Sequence, residues 1–335
     1  MSMRPADPRQ DAEVIAQVQA EVESLMGDIG IHTVYTGFKE VGGVTTDEVA
    51  IVALVEEKIS ARTLKANGVE PLPPAFEVNG VRVSVDVQQA PRPTEAKLRF
   101  PVAHAEPLAG VDHRECFDGP IPCGTQIAPQ GAGFVGTMGG PFSWIDRNGD
   151  RVYGALTNWH VAHGGTFPRG HRICQPHGSG PTFGVLEDYA PIDFRGGDNL
   201  IDAALIRATT DQNVDLVGRN LFDLGECGRE PVLEPQLGDR VVKSGRTTGV
   251  MRGRVVGINA TSHVAYEQGT GKFVRQVVIQ SDGGGDFSAG GDSGSLICLE
   301  EGLRPHSLLF AGGGGKTISN PIKFVLDHWP ESTFA

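Results

Sequence analysis

Residues 289–297 are Ala-Gly-Gly-Asp-Ser-Gly-Ser-Leu-Ile, a serine within a glycine-rich turn that leads into an apolar strand. Glycines on both sides of Ser293 allow the backbone to turn sharply and to direct its N–H groups towards a developing negative charge. A serine hydroxyl is a weak nucleophile and needs a neighbouring base to take its proton. The stretch therefore indicates Ser293 as a candidate nucleophile, and the rest of the chain must supply the base.

Two other segments offer that base and the group that orients it. Residues 155–162, ALTNWHVA, place His160 at the end of an apolar strand, and residues 199–206, NLIDAALI, place Asp202 inside another. Histidine suits the task because its pKa lies near neutrality. A carboxylate among apolar residues is costly without a partner, and it can hold the imidazole in one tautomer. The nearby His163 competes for the role of base, but the end of the strand favours His160.

These segments together resemble a known family. The histidine, aspartate and serine follow one another at intervals of 42 and 91 residues, and GDSG surrounds Ser293. With VKSGRTTG at 242–249 and FAGGG at 310–314, the chain resembles the trypsin-like (chymotrypsin-fold) serine peptidases, in particular an intracellular bacterial subgroup. Plant narrow-leaf serine proteases look like more distant relatives. Over residues 107–330 the resemblance implies a serine endopeptidase that hydrolyses peptide bonds through an acyl-enzyme on Ser293.

The resemblance also implies roles for residues around the triad. The backbone N–H groups of Gly291 and Ser293 would form the oxyanion hole. Asp292 would be held by an arginine of the SGRTTG segment, which is Arg246. The residues implied in substrate binding are Phe287, at the floor of the specificity pocket with Asp286 beside it as the alternative, and Phe310, Ala311 and Gly312, on a strand that pairs with extended peptide.

Composition limits the function classes. Among 335 residues, Lys and Arg number 29 and Asp and Glu 41, a net charge of −12 that disfavours binding to nucleic acid or anionic lipid. The longest apolar run, Val49–Val55, is far shorter than the ~20 residues of a membrane-spanning helix. No basic and apolar leader opens the sequence, so the expected location is the cytoplasm. We therefore expect a protein or peptide substrate, with neither nucleic acid nor membrane as a partner.

The patterning predicts a mainly β protein. The resemblance makes it two six-stranded antiparallel β-barrels, with a small N-terminal α+β unit and a C-terminal helix. The predicted ranges are 1–100 for the N-terminal unit, 107–335 for the protease domain, about 107–212 and 236–330 for its two barrels, 8–26 and 60–67 for helices, 32–41, 49–57 and 81–87 for strands, 88–106 for a linker or clasp, and 321–329 for a last helix capped by Asn320. The N-terminal unit is interpreted as a packing, assembly or regulatory element. Its strand edges need a partner, which favours homo-oligomers.

Two motifs could suggest metals, and neither predicts one. His171, Cys174 and His177 lack a fourth ligand at a familiar spacing. Residues 146–150, DRNGD, lack the glycine and acid of a calcium loop and favour a hairpin turn at Asn148-Gly149. The sequence thus predicts no metal and no other cofactor.

The chemistry leaves alternatives open. One is a catalytically inactive trypsin-like scaffold or peptide-binding protein, because a motif does not report alignment within tenths of an ångström. Another is a small-ester hydrolase, which would use the same three residues.

Overall fold

The computed structural model describes residues 4–27, 30–95, 98–99, 112–209 and 217–335, with the backbone alone described at 98–99. Strands dominate these residues, which confirms the mainly β fold class. Their helices are α1 (Ala12–Glu23), α2 (Ala61–Ala66), α3 (Trp159–Ala162) and α4 (Ile322–His328). The predicted bounds of the first barrel, 107 and 212, lie outside the described residues.

The first helix begins later than the sequence pattern predicts, at Ala12 instead of residue 8. Pro8 lies in a preceding turn that the N–H of Asp11 closes on the carbonyl of Asp7 at 2.8 Å. The carboxylate of Asp11 is bound by the guanidinium of Arg4, with N–O distances of 2.5 and 2.6 Å, so the turn is fixed. The apolar side chains of Ile15, Val18 and Val22 are buried.

The N-terminal unit is a small sheet covered by α1. Its strands are β1 (Arg4–Pro5), β2 (Ile31–Val41), β3 (Val44–Val55), β4 (Ala75–Val78) and β5 (Val81–Gln89). The hairpin between β2 and β3 turns at Gly42 and Gly43, both at positive φ, which glycine adopts without a steric penalty. Strands β1 and β4 were not predicted, because neither run has an alternating apolar pattern long enough to stand out.

The region predicted as the first six-stranded barrel forms, among the described residues, a sheet of nine antiparallel strands. Its strands are β7 (Leu98–Arg99), β9 (Gln126–Pro129), β10 (Phe134–Thr137), β11 (Gly140–Ile145), β12 (Arg151–Thr157), β13 (Arg172–Cys174), β14 (Thr182–Tyr189), β16 (Ala204–Ala208) and β25 (Thr333–Phe334), in the order β25-β11-β12-β16-β14-β13-β9-β10-β7. The predicted hairpin at Asn148-Gly149 joins β11 to β12, with Gly149 at positive φ. No ladder joins β10 to β11 among the described residues, so hydrogen bonds between strands do not close the sheet at this point. Residues 138–139 connect the two strands directly.

The second barrel closes completely. Its strands are β19 (Arg240–Gly245), β20 (Gly249–Tyr266), β21 (Gly269–Ser281), β22 (Leu296–Leu299), β23 (Pro305–Gly313) and β24 (Lys316–Pro321). Each pairs antiparallel with two others in the ring β20-β19-β22-β23-β24-β21, and β21 returns to β20. The shorter strands are β6 (Thr94–Glu95), β8 (Ile121–Cys123), β15 (Asp198–Asn199), β17 (Val217–Leu221) and β18 (Gly225–Glu226). The closed ring of β19 to β24 confirms the second of the two predicted six-stranded barrels.

The N-terminal unit and the second barrel share one sheet. Strand β2 pairs antiparallel with β20, with Thr33 opposite Ser262 and Gly37 opposite Gly257. The ring of Tyr35 is buried against both glycines, and a Cβ atom at either position would collide with it. The edge of β2, which the sequence analysis expected to need a partner, is therefore covered by the chain itself. Assembly into homo-oligomers stays a prediction.

Candidate active site

His160 and Asp202 form a buried pair within the first barrel. His160 follows β12 in the short helix α3, and Asp202 precedes β16, so the ends of two neighbouring strands place them. His160 Nδ1 lies 2.5 Å from Asp202 Oδ2, and neither side chain is exposed to solvent. His160 Nε2 is buried and has no hydrogen-bond partner in the described structure. The imidazole is thus held on one side and has a free nitrogen on the other.

Asp202 is fixed by groups from both barrels. The hydroxyl of Tyr266, on β20, donates to Asp202 Oδ2 at 2.8 Å. Burial and the charge of Asp202 hold the pKa of Tyr266 well above its usual value, so this hydroxyl stays a donor. Asn158 Nδ2 and Asn320 Nδ2 donate to the backbone carbonyl of Asp202 at 2.7 and 3.1 Å. Asn320 lies within β24 and Pro321 occupies the N-cap of α4, so the predicted capping role of Asn320 is wrong.

Ser293 lies in the turn before β22. Its Oγ donates a long hydrogen bond of 3.4 Å to the carbonyl of Phe310. Thr137, at the end of β10, binds this turn twice, because its N–H donates to the carbonyl of Ser293 and its hydroxyl to the carbonyl of Gly291, both at 2.8 Å. The hydroxyl of Thr157 donates to the carbonyl of Thr137 at 2.8 Å, three residues before His160. The serine turn and the histidine are therefore joined through Thr137 and Thr157.

The turn also presents two backbone donors. In the described part of the chain, the N–H groups of Gly291 and Ser293 donate to no protein acceptor. Gly291 has φ +101°, a conformation that favours glycine. The neighbouring N–H groups of Asp292 and Gly294 are engaged with the carbonyls of Ala289 and Leu309 at 3.0 Å. The two N–H groups predicted to form the oxyanion hole are therefore the ones that make no hydrogen bond within the described structure.

Asp292 is paired with Lys243, and the predicted pairing with Arg246 is wrong. Lys243 Nζ lies 3.2 Å from Asp292 Oδ2, and both side chains are completely buried. The carboxylate also accepts from the N–H of Thr247 at 2.8 Å and from the hydroxyl of Thr248 at 2.7 Å. Burial acts to raise the pKa of Asp292, but the Lys243 charge and these hydrogen bonds outweigh it, and the pKa is lowered from 3.8.

Arg246 points to the first barrel instead. Its Nε donates to Gln126 Oε1 at 2.5 Å, and its Nη1 donates to the hydroxyl of Thr247 at 3.1 Å. The side chain is buried, and burial lowers its pKa from 12.5 to about 10. Lys243 and Arg246, the two cations of the VKSGRTTG segment, are thus both buried. Lys243, which lies on β19, is the one that reaches Asp292. Lys243 lies three residues before Arg246 in the sequence, but the motif pointed only to the arginine.

The residues expected to bind substrate divide into two groups. Phe287 is 1% exposed and packs in the apolar core of the second barrel, so its expected place at the floor of a pocket is wrong. Phe310, Ala311 and Gly312 lie on β23, and the carbonyl of Phe310 contacts Ser293 Oγ as described above. Beside Gly312, the hydroxyls of Ser288 and Thr317 are hydrogen-bonded at 2.7 Å.

The remaining histidines of the sequence analysis lie elsewhere. His163 stacks on Tyr189 with 4.3 Å between ring centroids. His171 Nε2 contacts the carbonyl of Gln130, and His177 Nδ1 contacts the hydroxyl of Ser179. In the described ranges no three side chains of the metal-binding types form a group suited to an ion.

Comparisons with known proteins give structural similarities only. No family model and no curated protein sequence matches the chain. Solved structures that it resembles include a chymotrypsin of Cellulomonas bogoriensis (20% identity, 64% of this chain and 98% of that one, TM-score 0.44). A Nocardiopsis protease matches at 21% identity over 64% of this chain and 98% of its own, with a TM-score of 0.46. Protease A of Thermobifida fusca matches at 22% identity over 62% and 95%, with a TM-score of 0.43.

In the part of the chain that the structure describes, no helix has the length and apolarity needed to cross a lipid bilayer.

Proposed function

We propose that this protein is a serine endopeptidase in which Ser293 is the nucleophile, His160 the general base and Asp202 the group that orients the histidine. The observation that carries the proposal is the buried His160–Asp202 pair with its free Nε2, next to a serine turn that has two uncommitted backbone N–H groups. A hydrogen-bonded Asp–His pair, a neighbouring hydroxyl and converging N–H donors are the parts that acyl transfer requires.

The reaction needs Ser293 to rotate about its Cα–Cβ bond, away from the carbonyl of Phe310 and towards His160 Nε2. As Oγ bonds to the substrate carbonyl carbon, its proton passes to Nε2, and Asp202 stabilises the imidazolium. The carbonyl oxygen gains the negative charge and accepts hydrogen bonds from the N–H groups of Gly291 and Ser293. His160 then gives its proton to the leaving amine as the C–N bond breaks. A water molecule then attacks the acyl carbon and gives a proton to His160 Nε2. As the bond between the acyl carbon and Ser293 Oγ breaks, His160 returns the proton to Oγ, which releases the acid and the free serine.

A second candidate is a peptide-binding protein with an unproductive triad. The observation that favours it is the hydrogen bond from Ser293 Oγ to the carbonyl of Phe310, which leaves His160 Nε2 without the serine. The two candidates differ in whether Ser293 Oγ comes within hydrogen-bond distance of His160 Nε2. Catalytic hydrogen bonds are often long or misaligned before substrate binds, so this geometry does not exclude the enzyme.

Labelling with a fluorophosphonate probe tests the enzyme directly, because the probe reacts only with an activated serine. We expect one label per chain, on Ser293, and no label on Ser293→Ala or His160→Ala. Ser281→Ala is the matched control, since Ser281 lies on β21 and its Oγ accepts from the N–H of Gly283. Folded wild-type protein that resists labelling would favour the peptide-binding candidate.

A peptide library then separates a peptidase from an ester hydrolase. We expect cleavage of internal peptide bonds, with loss of all turnover in Ser293→Ala. Turnover of small esters alone would assign the ester hydrolase instead. A cytoplasmic location stays a prediction, which cell fractionation tests.

A further inference from the structure

Backbone from the N-terminal region lies along the strand that was expected to bind substrate. Strand β6 pairs antiparallel with β23, with Glu95 opposite Ala311 and Thr94 opposite Gly312. On its other side β6 pairs with β20, with Thr94 opposite Ala265. The N–H of Ala265 donates to the carbonyl of Pro93 at 3.0 Å. Residues 93–95 thus lie in a slot between β20 and β23 and are hydrogen-bonded on both sides.

The segment that enters this slot is firmly anchored. The N–H of Ala90 donates to the carbonyl of Val55 at 2.9 Å, and His32 Nε2 lies 3.0 Å from the carbonyl of Ala90. Both Ala90 and Pro93 are buried. The path from the N-terminal unit into the slot is therefore defined by hydrogen bonds and packing.

Gly313, the last residue of β23, and Gly314 after it leave room for the segment. Gly314 has φ +60°, and a Cβ atom there would lie 2.6 Å from Cδ of Pro91 and 3.1 Å from Cβ of Ala90. A Cβ atom at Gly313 would lie 3.5 Å from the carbonyl oxygens of Pro91 and Arg92. A larger residue at Gly314 would collide with the segment. The glycine run thus has a structural reason, which is the close approach of Ala90–Arg92.

The slot adjoins the candidate active site. Ala311 follows Phe310, whose carbonyl accepts from Ser293 Oγ. Ala265 precedes Tyr266, whose hydroxyl binds Asp202, and the charge of Glu95 is among those that raise the pKa of Tyr266. The two walls of the slot therefore continue directly into groups that contact the serine and the aspartate.

The same stretch of chain also reaches the other barrel. The backbone of Leu98–Arg99 pairs antiparallel with β10, opposite Val135 and Phe134. Strand β10 ends at Thr137, whose N–H donates to the carbonyl of Ser293. Residues 96–97 lie outside the described ones. The described backbone before them pairs with the second barrel, and the described backbone after them pairs with the first.

We propose that residues 90–95 are a built-in peptide ligand of the candidate active site, held on the edge of β23, so that a peptide in solution must displace them to bind there. One edge accepts one added strand, because the backbone N–H and C=O groups that face outward from the edge pair with one neighbouring strand at a time. That the segment restrains hydrolysis rests on the proposed function. That the segment occupies the slot does not depend on the proposed function.

A binding experiment tests the occupation without any catalysis. In the Ser293→Ala protein, we would measure the Kd of a fluorescein-labelled peptide with the sequence of residues 90–99, APRPTEAKLR, by fluorescence anisotropy. Thr94→Pro/Glu95→Pro removes two backbone donors from the segment. We expect the proline variant to bind the peptide at least tenfold more tightly. Equal Kd values with and without the prolines would overturn the proposal.

The matched control is Thr94→Val/Glu95→Gln, which changes the same side chains and keeps both N–H groups. Because the segment is held by its backbone, the control should bind the peptide as weakly as the parent. A proline variant that does not fold would be recognised by the loss of its near-UV circular dichroism. Hydrogen exchange in the unaltered chain then decides: the N–H of Ala265 should be protected, and exchange as fast as in exposed amides would overturn the proposal.

Activity measurements separate failure of this proposal from failure of the proposed function. With Ser293 intact, we expect the proline variant to raise kcat/KM for peptides at least tenfold, while labelling by the small fluorophosphonate probe changes less than twofold. Labelling with unchanged peptide turnover and unchanged Kd would reject the built-in ligand alone. Tighter peptide binding without any labelling would support the ligand and reject the peptidase.

Discussion

The hydroxyl of Tyr266 donates to Asp202 Oδ2, the same carboxylate oxygen that holds His160 Nδ1, so a residue of the second barrel orients the pair of the first. Tyr266→Phe removes this hydrogen bond and little else. A hydrogen bond to a charged group contributes about 1.5–3 kcal/mol, and its loss should lower kcat about tenfold or more with KM nearly unchanged. Steady-state kinetics on the best library peptide provide the measurement.

Two further readouts show whether Tyr266 acts through Asp202. Because the pKa of Tyr266 is raised, its hydroxyl is protonated across the neutral range, and the loss should be equal at pH 6 and pH 9. Tyr153→Phe is the control, since Tyr153 is 43% exposed. A Tyr266→Phe enzyme with normal kcat would show that the hydroxyl has no part in orienting Asp202.

Replacing Lys243 should destabilise the protein more than replacing Arg246. Lys243→Met leaves the buried carboxylate of Asp292 without its cation, and breaking a buried pair in this way costs about 3–5 kcal/mol. Arg246→Gln removes a guanidinium that makes no ion pair in the described structure, and the loss of its hydrogen bond to Gln126 costs about 1.5–3 kcal/mol. Urea unfolding measures both variants. A larger loss for Arg246→Gln would contradict the assignment of Lys243 as the partner.

Asp292 should also make the stability depend on pH in the acid range. Its pKa in the folded protein is lowered from 3.8, so as the pH falls the unfolded chain binds the proton first. The stabilisation is therefore complete above the unfolded pKa and is lost as the pH falls through the folded one. Urea unfolding between pH 2 and 6 should show a shallower acid loss for Asp292→Asn than for wild type. Parallel pH profiles would contradict this account.

Removal of residues 1–100 should give insoluble protein or protein of altered size. The truncation exposes the edge of β20 that pairs with β2, and a bare strand edge recruits another chain. Size-exclusion chromatography and sedimentation compare the truncated and full-length proteins. A soluble truncated protein with unchanged oligomeric state and full activity would show that the N-terminal unit is dispensable.

The sequence predicted the parts of the site that have local signals. Ser293, His160 and Asp202 each stand where a polar residue meets an apolar strand pattern, and the glycines around Ser293 indicate its turn. Tyr266 and Lys243 have no such signal. Tyrosine is common in strands, and a lysine three residues before Arg246 resembles any other cation until burial distinguishes the two. Their roles depend on which residues meet across the barrels, and that is a property of the fold.

Errors in the prediction had similar physical causes. The resemblance places Phe287 at the floor of the pocket, but a position in the sequence does not report which side of the barrel wall a side chain faces. Its ring is in the core, where an aromatic side chain buries the most apolar surface. The strands of the N-terminal unit were predicted, but their union with β20 was not, because pairing between strands more than 200 residues apart leaves no local pattern.

The sharing of one sheet by the N-terminal unit and the second barrel has a consequence for how the molecule unfolds. Strand β20 is hydrogen-bonded to β2, β19 and β21 along its 18 residues, so neither region can lose it without exposing the ladder of the other. The two should melt in a single cooperative transition. The first barrel has its own sheet and contacts the second through side chains, loop hydrogen bonds and the short ladder between β15 and β21. Calorimetry should therefore show separate unfolding transitions for the two barrels. The N-terminal unit should unfold together with the second barrel, and not as the separate unit that the sequence predicts for residues 1–100.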